Sequence, residues 1–364
     1  MSDGPELVIA GAGIAGLALA AGLAHAGAPW RCRLYDERPE LGSSGGAISL
    51  WPTALAALDR IGVGAQVRAA GHPVGAGSVR SARGRLLRSL DVPLLAVRRG
   101  VLVEILHAAT AADIAFGTAV TGYARTARGV RVETSAGPVE ADALVGADGF
   151  RSLVARTLQP ALRETYAGYP AWRGLARADG LDAVQLWGAR QEFGVVPLGD
   201  GLAYWFATVR EPAGGTADDE LAHLRAAFAG WPDPVPRVLD ATAPDAVGRN
   251  DILDRQRLRR WTDGPVVVLG DAAHPMRPHL GQGGAQALVD AALLAELLGA
   301  PGAAAPAFAA FERQRRRPAE RVVLTSRLAS RVVDAPPAVH RLSSLVPDGL
   351  LLRTLRGRPD RRGG

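Results

Sequence analysis

The stretch LVIAGAGIAG, residues Leu7 to Gly16, is an apolar run that leads into three glycines spaced G-x-G-x-x-G. The apolar residues predict a buried strand, and the glycines predict a tight turn into a helix. Gly11 permits the turn, Gly13 has no Cβ to hold a pyrophosphate away from the backbone, and Gly16 lets the helix pack closely on the strand. The free N–H groups at the start of that helix favour a phosphate. The stretch therefore predicts a β-α-β unit that binds a dinucleotide.

A second predicted strand, over residues 33–35, ends in two carboxylates, Asp36 and Glu37. Asp36 lies 20 residues after Gly16, the spacing expected for an acid that binds a ribose hydroxyl. We prefer Asp36 to Glu37 for this role. The alternative is that both carboxylates form a solvated strand end.

The composition narrows the class of protein. The chain has 364 residues, 48% of them hydrophobic, which is enough for two domains or for one domain with an insertion. All 42 basic residues are arginine, but they are spread along the chain with few aromatic residues among them, so we expect no nucleic-acid partner. The densest run, Arg313 with Arg315 to Arg317, is interpreted as a solvated helix face.

Cys32 is the only cysteine, which excludes a disulfide within the chain, and without clustered histidines and carboxylates we predict no metal site. Residues 7–24 carry no charge, but their glycines and the acidic residues before them argue against a signal peptide or membrane span. We expect a soluble, cytoplasmic protein, monomer or homodimer, and the alanine- and arginine-rich composition suggests a bacterial origin, with secondary metabolism as a hypothesis.

The periodicity changes along the chain from an α/β pattern to short strands and back. Asp200-Gly201 predicts a hairpin turn, residues 97–110 a helix, residues 42–48 a flexible loop, and residues 308–333 a helix broken near Pro318. The resulting domain prediction is a discontinuous cofactor domain (1–70, 97–158 and 255–334), a substrate domain (71–96 and 159–254) and a C-terminal tail (335–364).

In two later motifs an apolar strand is followed by an aspartate next to glycine; we call these the acid-glycine loops. GADG at 146–149 follows residues 143–145, and alone it would be a turn or a helix cap. Residues 270–284, GDAAHPMRPHLGQGG, follow the strand 266–269 and open a second helix with glycines at its start.

With GAGIAG at 11–16, these motifs occur in the order and context of single-component FAD-dependent aromatic hydroxylases. The chain resembles this flavoprotein monooxygenase family, which includes p-hydroxybenzoate and salicylate hydroxylases, from about residue 5 to about residue 325. The resemblance implies an α/β fold. It would comprise a Rossmann-like, glutathione-reductase-like FAD-binding domain, an inserted and mostly antiparallel β-sheet substrate domain, and a C-terminal helix.

The resemblance also implies which residues bind FAD. The pyrophosphate would lie at Gly11, Gly13, Ala15 and Gly16, and the adenosine ribose at Asp36 with Glu37 beside it. The other implied contacts are Ser49 near the flavin, Arg99 on the FAD chain, Val120 at the adenine, Asp148 for FAD and the nicotinamide, Asp271 at the ribityl or phosphate part, and Gly281, Gly283, Gly284 and Ala285 at the isoalloxazine ring. Where relatives often carry Gly-Ala-Asn and Glu-Asp, this chain has Gly283-Gly284-Ala285 and Val289-Asp290. Backbone contacts survive these changes, but a hydrogen bond from the Asn side chain does not.

Such enzymes use NAD(P)H to reduce FAD, form a flavin C4a-hydroperoxide with O2, and transfer one oxygen to a substrate. The implied reaction is hydroxylation, or epoxidation, of a small to medium aromatic or unsaturated molecule. No motif identifies the catalytic acid or base. Our candidates are Tyr204, Arg173 and Arg190, then Glu192, with His72 last.

Each of these candidates has the alternative that it is a strand residue facing solvent or core. Trp172, Trp205 and Phe206 fit either an aromatic pocket or the sheet core, and His274 is interpreted as a structural loop histidine rather than a catalyst. Two rival functions stay open: an NAD-dependent dehydrogenase that uses only the first motif, and a redox-silent FAD-binding cyclase or scaffold.

Overall fold

A computed structural model describes residues 4–42, 46–300 and 302–343. Part of the loop expected at 42–48, and most of the tail expected at 335–364, lie outside the described residues. No helix in the described part of the chain is long and apolar enough to cross a membrane.

The strands are β1 (Glu6–Ala10), β2 (Arg31–Asp36), β3 (Ala47–Leu50), β4 (His72–Ser81), β5 (Leu86–Arg98), β6 (Asp113–Phe116), β7 (Val120–Arg125), β8 (Val130–Thr134), β9 (Gly137–Ala141), β10 (Ala143–Gly146), β11 (Glu164–Arg177), β12 (Ala183–Gly188), β13 (Gln191–Gly199), β14 (Leu202–Val209), β15 (Gly248–Arg255) and β16 (Val266–Val268). The helices are α1 (Ile14–His25), α2 (Pro52–Ile61), α3 (Gly64–Ala70), α4 (Arg99–Ala108), α5 (Leu153–Leu158), α6 (Glu220–Ala227), α7 (Val235–Asp240), α8 (Gly283–Gly299), α9 (Ala304–Val333) and α10 (Pro337–Ser343). Three 3-10 turns lie at Pro244–Ala246, Gly270–Ala272 and Pro278–Leu280.

The first sheet is parallel, with the strand order β16-β10-β1-β2-β6. Its central strands β1 and β10 are almost completely buried, which explains why they read as apolar runs rather than alternating patterns. The carboxyl ends of parallel strands meet at one edge, and this edge carries Gly11, Asp36, Asp148 and Asp271. Ligands of open α/β sheets bind at such an edge.

The second sheet has the order β15-β11-β14-β13-β12-β4-β5-β3 and is antiparallel except for the β12–β4 pair. One face packs on α6 and α7, with Trp172, Phe193 and Trp205 buried there. Because side chains alternate along a strand, Arg173 and Tyr204 point to the opposite face. A third, small sheet consists of β7, β8 and β9. The expected α/β fold, with an antiparallel second sheet and C-terminal helices, is confirmed.

The hairpin turn expected at Asp200-Gly201 is confirmed, since both residues have positive φ, 49° and 68°. Two other expectations differ from the structure. The helix expected over 97–110 is present but spans only Arg99–Ala108, because Val97 and Arg98 complete β5 by pairing with β3.

The break expected at Pro318 is also absent, since α9 runs from Ala304 to Val333 with that proline inside it. An interior proline costs about 3 kcal/mol. Phe308 and Phe311 before it and Ala319 after it are fully buried in the hydrophobic core around the first sheet, which we call the first core. This packing outweighs the lost hydrogen bond.

Candidate cofactor site and active site

In the glycine turn after β1, backbone atoms pack closely against Gly11 and Gly16, whereas the space beside Gly13 is open. Gly11 has φ 101°, and a Cβ there would lie 2.5 Å from the carbonyl oxygen of Ala147. A Cβ on Gly16 would strike the Gly11 carbonyl. At Gly13, by contrast, no atom of the described residues beyond its chain neighbours lies within 4 Å of the Cβ position. The start of α1 therefore presents its N–H groups to a space that a phosphate can occupy.

Asp36 ends β2 beside this turn and is held by several donors. Its Oδ2 accepts a hydrogen bond from the Ala12 backbone N at 2.8 Å, and the Arg38 guanidinium donates to both carboxylate oxygens at 2.8 and 2.7 Å. Burial alone would raise the pKa of Asp36, but the hydrogen bonds from Arg38 and Ala12 bring it below the ordinary value. Glu37 is exposed beside it. The Thr118 backbone N donates to the Asp36 carbonyl at 2.9 Å, which brings Val120 near this end of the site.

Asp148 caps a helix. Its Oδ2 accepts from the backbone N of Leu153 at 2.8 Å and of Val154 at 3.2 Å, at the start of α5. Its Oδ1 is buried without a hydrogen-bond partner among the described residues, and burial raises the pKa of this carboxyl. The capping alternative for GADG is therefore realised, and one carboxylate oxygen remains for a ligand.

Asp271 lies in the 3-10 turn after β16 and is exposed. Its Oδ1 lies 3.8 Å from the Cβ position of Gly283 at the start of α8. Arg99, at the start of α4, is exposed to solvent but partly surrounded by protein atoms. The resulting partial desolvation lowers the pKa of Arg99, and the charge of Asp271 opposes this shift. Arg173 lowers the pKa of Arg99 further and Tyr204 raises it, and these two residues lie on the same face of the second sheet.

The start of α8 lies against β3. The Cβ position of Gly281, which has φ 59°, is 3.9 Å from the Cβ of Ser49, and a Cβ on Gly284 would strike the Ile48 side chain. Ala285 is fully buried in the first core. Having no side chains, Gly281, Gly283 and Gly284 offer only backbone groups to a ligand beside β3.

A buried charge network behind this helix was not expected from the sequence. Asp290 of α8 is fully buried; its oxygens accept from His274 Nε2 at 2.5 Å, Arg315 Nε at 2.6 Å and the Gly270 backbone N at 3.0 Å. Arg315 also donates to Gln286 at 2.8 Å. Burial would raise the pKa of Asp290, but His274 and Arg315 lower it to about 2.

His274 is thus a structural residue that fixes the turn bearing Asp271. The interpretation of Arg315 as part of a solvated helix face was wrong, because its guanidinium reaches inward to this carboxylate.

A second buried cluster joins the loop before α8 to the second sheet. His279 Nδ1 lies 2.8 Å from Oε2 of Glu192 on β13, and its Nε2 lies 2.8 Å from the hydroxyl of Tyr169 on β11. All three side chains are nearly inaccessible, and burial raises the pKa of Tyr169 to about 12. The cluster anchors the turn Pro278–Leu280, immediately before Gly281, on the sheet.

The catalytic candidates do not all lie in the same part of the structure. Tyr204 lies near Gly46, its ring 3.8 Å from the Cβ position of that glycine, and Arg173 donates to Asn250 at 3.2 Å. Burial raises the pKa of Tyr204, and the charges of Arg173 and Arg99 oppose the shift. His72 begins β4, with its Nδ1 3.2 Å from the Cβ position of Gly199.

Arg190 does not join this group. It lies in the exposed turn between β12 and β13 with φ 66°. Its end of β13 is opposite the end that pairs with Tyr204, six residues or about 20 Å along the strand. Arg190 therefore lies outside the strands, in a hairpin turn that directs its side chain into solvent.

The two tryptophans belong to the core of the second sheet. Trp172 Nε1 donates to Glu220 at 2.7 Å and Trp205 Nε1 to Thr242 at 2.9 Å, both on the α6–α7 side. Phe206 lies on the Tyr204 face and covers Gly194. Within the described residues, no group of three metal-binding side chains is found.

The chain matches a protein family and is similar to several characterised proteins. The family described as "FAD binding domain" matches residues 5–326. An aurachin C monooxygenase/isomerase of Stigmatella aurantiaca is 37% identical over 314 residues, 82% of each chain. An FAD-dependent urate hydroxylase of Klebsiella oxytoca is 32% identical over 312 residues, 80% of this chain and 81% of the relative. Klebsiella pneumoniae HpxO, solved with FAD and uric acid, has TM-score 0.89 and 26% identity, covering 98% of this chain and 97% of that one.

The residues at the sheet edge fit such a cofactor. Gly13 leaves open the space that a Cβ would fill, Asp148 has an unpartnered oxygen, and the glycines of α8 present backbone N–H groups. Gly13 and Asp148 follow strands of the first sheet at its carboxyl edge, and Gly283 lies beside Asp271 at that same edge.

Proposed function

Because the chain belongs to the family of FAD-dependent hydroxylases and monooxygenases that share this FAD-binding domain, we propose that it hydroxylates or epoxidises a small to medium aromatic or unsaturated substrate. NAD(P)H would give two electrons, one atom of O2 would enter the substrate, and the other would leave as water. Bound FAD would supply the electron transfer and the activation of O2. The observation that carries the proposal is that the start of α8 lies beside both sheets. The Cβ position of Gly283 is 3.8 Å from Asp271 Oδ1 at the edge of the first sheet, and that of Gly281 is 3.9 Å from the Ser49 Cβ on β3 of the second sheet.

We assign the cofactor contacts along this edge. The pyrophosphate would lie at the glycine turn, the adenosine ribose at Asp36, and the ring at the backbone of residues 281–285. Asp271 and Arg99 would contact the part of FAD between the pyrophosphate and the ring, and the charge of Asp271 already acts on Arg99. Glu37, Ser49, Val120 and Asp148 keep the roles that the resemblance implies. We also retain residues 1–70, 97–158 and 255–334 as the cofactor domain.

On the substrate side we retain Tyr204 and Arg173 and drop Arg190. Because burial raises the pKa of Tyr204, its hydroxyl is neutral at pH 7 and orients a substrate by hydrogen bonding. Arg173 and Arg99 favour a carbonyl or anionic oxygen on the substrate. Urate, named for one similar enzyme, is an electron-rich nitrogen heterocycle with such oxygens and supports an aromatic heterocycle here.

The rival functions make different demands on the molecule. A dehydrogenase that uses only the first motif has no need for the loops at 146–149 and 270–284, yet both lie at the same sheet edge. A redox-silent scaffold would hold FAD that NAD(P)H cannot reduce in the presence of any substrate. We expect the protein to work as a monomer or homodimer in the cytoplasm, where NAD(P)H is available.

The deciding experiment supplies FAD-loaded protein with NADH or NADPH, 18O2 and a panel of aromatic heterocycles and phenols. We expect at least one compound to accelerate NAD(P)H oxidation and to gain one 18O atom, read by mass spectrometry. Reduction that yields only hydrogen peroxide with every compound would contradict oxygen transfer. A flavin that stays oxidised throughout would favour the scaffold.

Replacing Tyr204 by phenylalanine should uncouple the reaction. Without the hydroxyl the substrate is held less firmly, so we expect roughly a tenfold lower ratio of product to NAD(P)H consumed, with more peroxide. Tyr123→Phe, on the third sheet, is the control and should keep wild-type coupling. If Tyr204→Phe keeps wild-type coupling, the Tyr204 hydroxyl does not hold the substrate and the side chain only contributes to packing.

Replacing His279 by glutamine should loosen the turn before α8. Glu192 and Tyr169 would each lose a buried partner, and we expect a loss of about 1–3 kcal/mol in the free energy of unfolding. The control is His223→Gln, which removes a His–Glu contact of the same 2.8 Å length on α6. Equal effects in denaturant titrations of the two variants would show that the His279 cluster is not special.

A further inference from the structure

Arg255, the last residue of β15, joins two loops that are far apart in the chain. Its side chain is buried; Nη1 donates to the carbonyl of Phe150 at 3.0 Å, and Nη2 donates to the carbonyl of Ala272 at 2.6 Å. Phe150 follows Asp148 by two residues, and Ala272 follows Asp271 directly. One guanidinium therefore spans the two acid-glycine loops.

The guanidinium is suited to this bridge. A planar fork directs two N–H groups at two acceptors at once, which a lysine ammonium on a flexible stem does not do with fixed geometry. Burial lowers the pKa of Arg255 to about 10, so it remains a cation at neutral pH. Among the described residues, no carboxylate lies within ion-pair distance of it, so the two carbonyls are its direct partners.

The strand end that carries Arg255 is itself held in place. Arg327 of α9 donates to Asp254 at 2.7 and 2.9 Å and to the Arg255 carbonyl at 3.1 Å. A buried fork on a fixed strand end determines the separation of the loops more firmly than contacts between exposed side chains would.

We propose that Arg255 is a positioning residue that sets the distance between the Asp148 and Asp271 loops and thereby the affinity for FAD. It acts through the backbone of Phe150 and Ala272 rather than by contact with the cofactor. Loss of the bridge lets Asp271 move away from the position in which it contacts FAD, so part of the Asp271 contribution disappears with Arg255.

The test is a double-mutant cycle on the full chain, with FAD affinity measured by titrating apoprotein into FAD and following flavin fluorescence. We expect Arg255→Met and Arg255→Lys each to raise the dissociation constant about tenfold. We expect Asp271→Ala to have a similar effect alone but less than about a threefold further effect in either Arg255 variant. A destabilised fold alone would not produce that non-additivity.

Two results would overturn the proposal. If the effects of Arg255→Lys and Asp271→Ala multiply, Arg255 does not act through the Asp271 loop. If Arg255→Lys keeps wild-type affinity, the charge rather than the bridge matters. Should Arg255→Met fail to fold, the Lys cycle stands alone.

The matched control is Arg257→Met, two residues further along, where the guanidinium is exposed and paired with Glu320 at 2.9 Å. We expect its FAD affinity to stay within about twofold of wild type. Thermal midpoints of all apoproteins are recorded separately. Because the readout is cofactor binding, failure of this proposal leaves the proposed oxygen transfer untouched, and the reverse also holds.

Discussion

Replacing Gly13 by alanine should weaken FAD binding by about 30- to 100-fold while leaving the apoprotein as stable as the wild type. In the described part of the chain, a methyl group there meets no atom within 4 Å beyond its sequence neighbours, so the fold accommodates it. The same methyl group would fill the space from which phosphate oxygens reach the backbone N–H groups. Losing one or two charge-assisted hydrogen bonds costs about 2–3 kcal/mol.

The control for this prediction is Gly11→Ala, which should lower the stability of the apoprotein as well as affect FAD binding. Its φ of 101° and the Ala147 carbonyl 2.5 Å from the Cβ position make the substitution strained in the apoprotein itself. We expect a lower thermal midpoint before FAD is added. Wild-type FAD affinity in Gly13→Ala, measured by flavin fluorescence, would place the pyrophosphate elsewhere.

Replacing Asp290 by asparagine should destabilise the protein by about 3–5 kcal/mol, since Arg315 is left as a buried cation without its counter-charge. The measurement is the free energy of unfolding in denaturant. The control is Asp59→Asn, which breaks an exposed pair with Arg68 and should cost at most about 1 kcal/mol. If Asp290→Asn lowers the free energy of unfolding no more than the control does, the buried charge network does not stabilise the fold.

The Asp290 effect should also depend on pH in a defined direction. The folded state lowers the pKa of Asp290 from 3.8 to about 2, so its contribution is complete above the ordinary value and is lost as pH falls through about 2. The part of the difference between wild type and Asp290→Asn that comes from this shift, about 2 kcal/mol, should shrink between pH 4 and pH 2. Subtracting the variant removes the contribution of Asp36, whose pKa is also lowered. A difference that stays constant over this range would contradict the charged state assigned to Asp290.

The sequence predicts those parts of the site that depend on local spacing. Glycine turns, strand-end carboxylates and the glycines before α8 are each readable within about 20 residues, because a strand, a turn and a helix start are local structures. Their meeting at one edge follows from the geometry of a parallel sheet.

The contacts that hold the site together are long-range and leave no local signal. Arg255 reaches Phe150 across 105 positions, His279 reaches Glu192 across 87, and Arg315 reaches Asp290 across 25. The run of arginines around Arg315 predicts a solvated helix face, and only the fold shows that Arg315 points into the core. The position of Arg190 in a hairpin turn is likewise set by where β12 ends and β13 begins, which the local sequence does not show.

The parallel pairing of β4 with β12 has a consequence for synthesis on the ribosome. Gly77 pairs with Ala183, so the β4–β5 ribbon emerges about 100 residues, or about 5–20 s at typical elongation rates, before its neighbour exists. Until then one long edge of that ribbon has unpaired backbone groups and is exposed to neighbouring nascent chains. Arg80, Arg83 and Arg85 lie on or beside this edge, and their like charges discourage association of the ribbon with another copy during that interval.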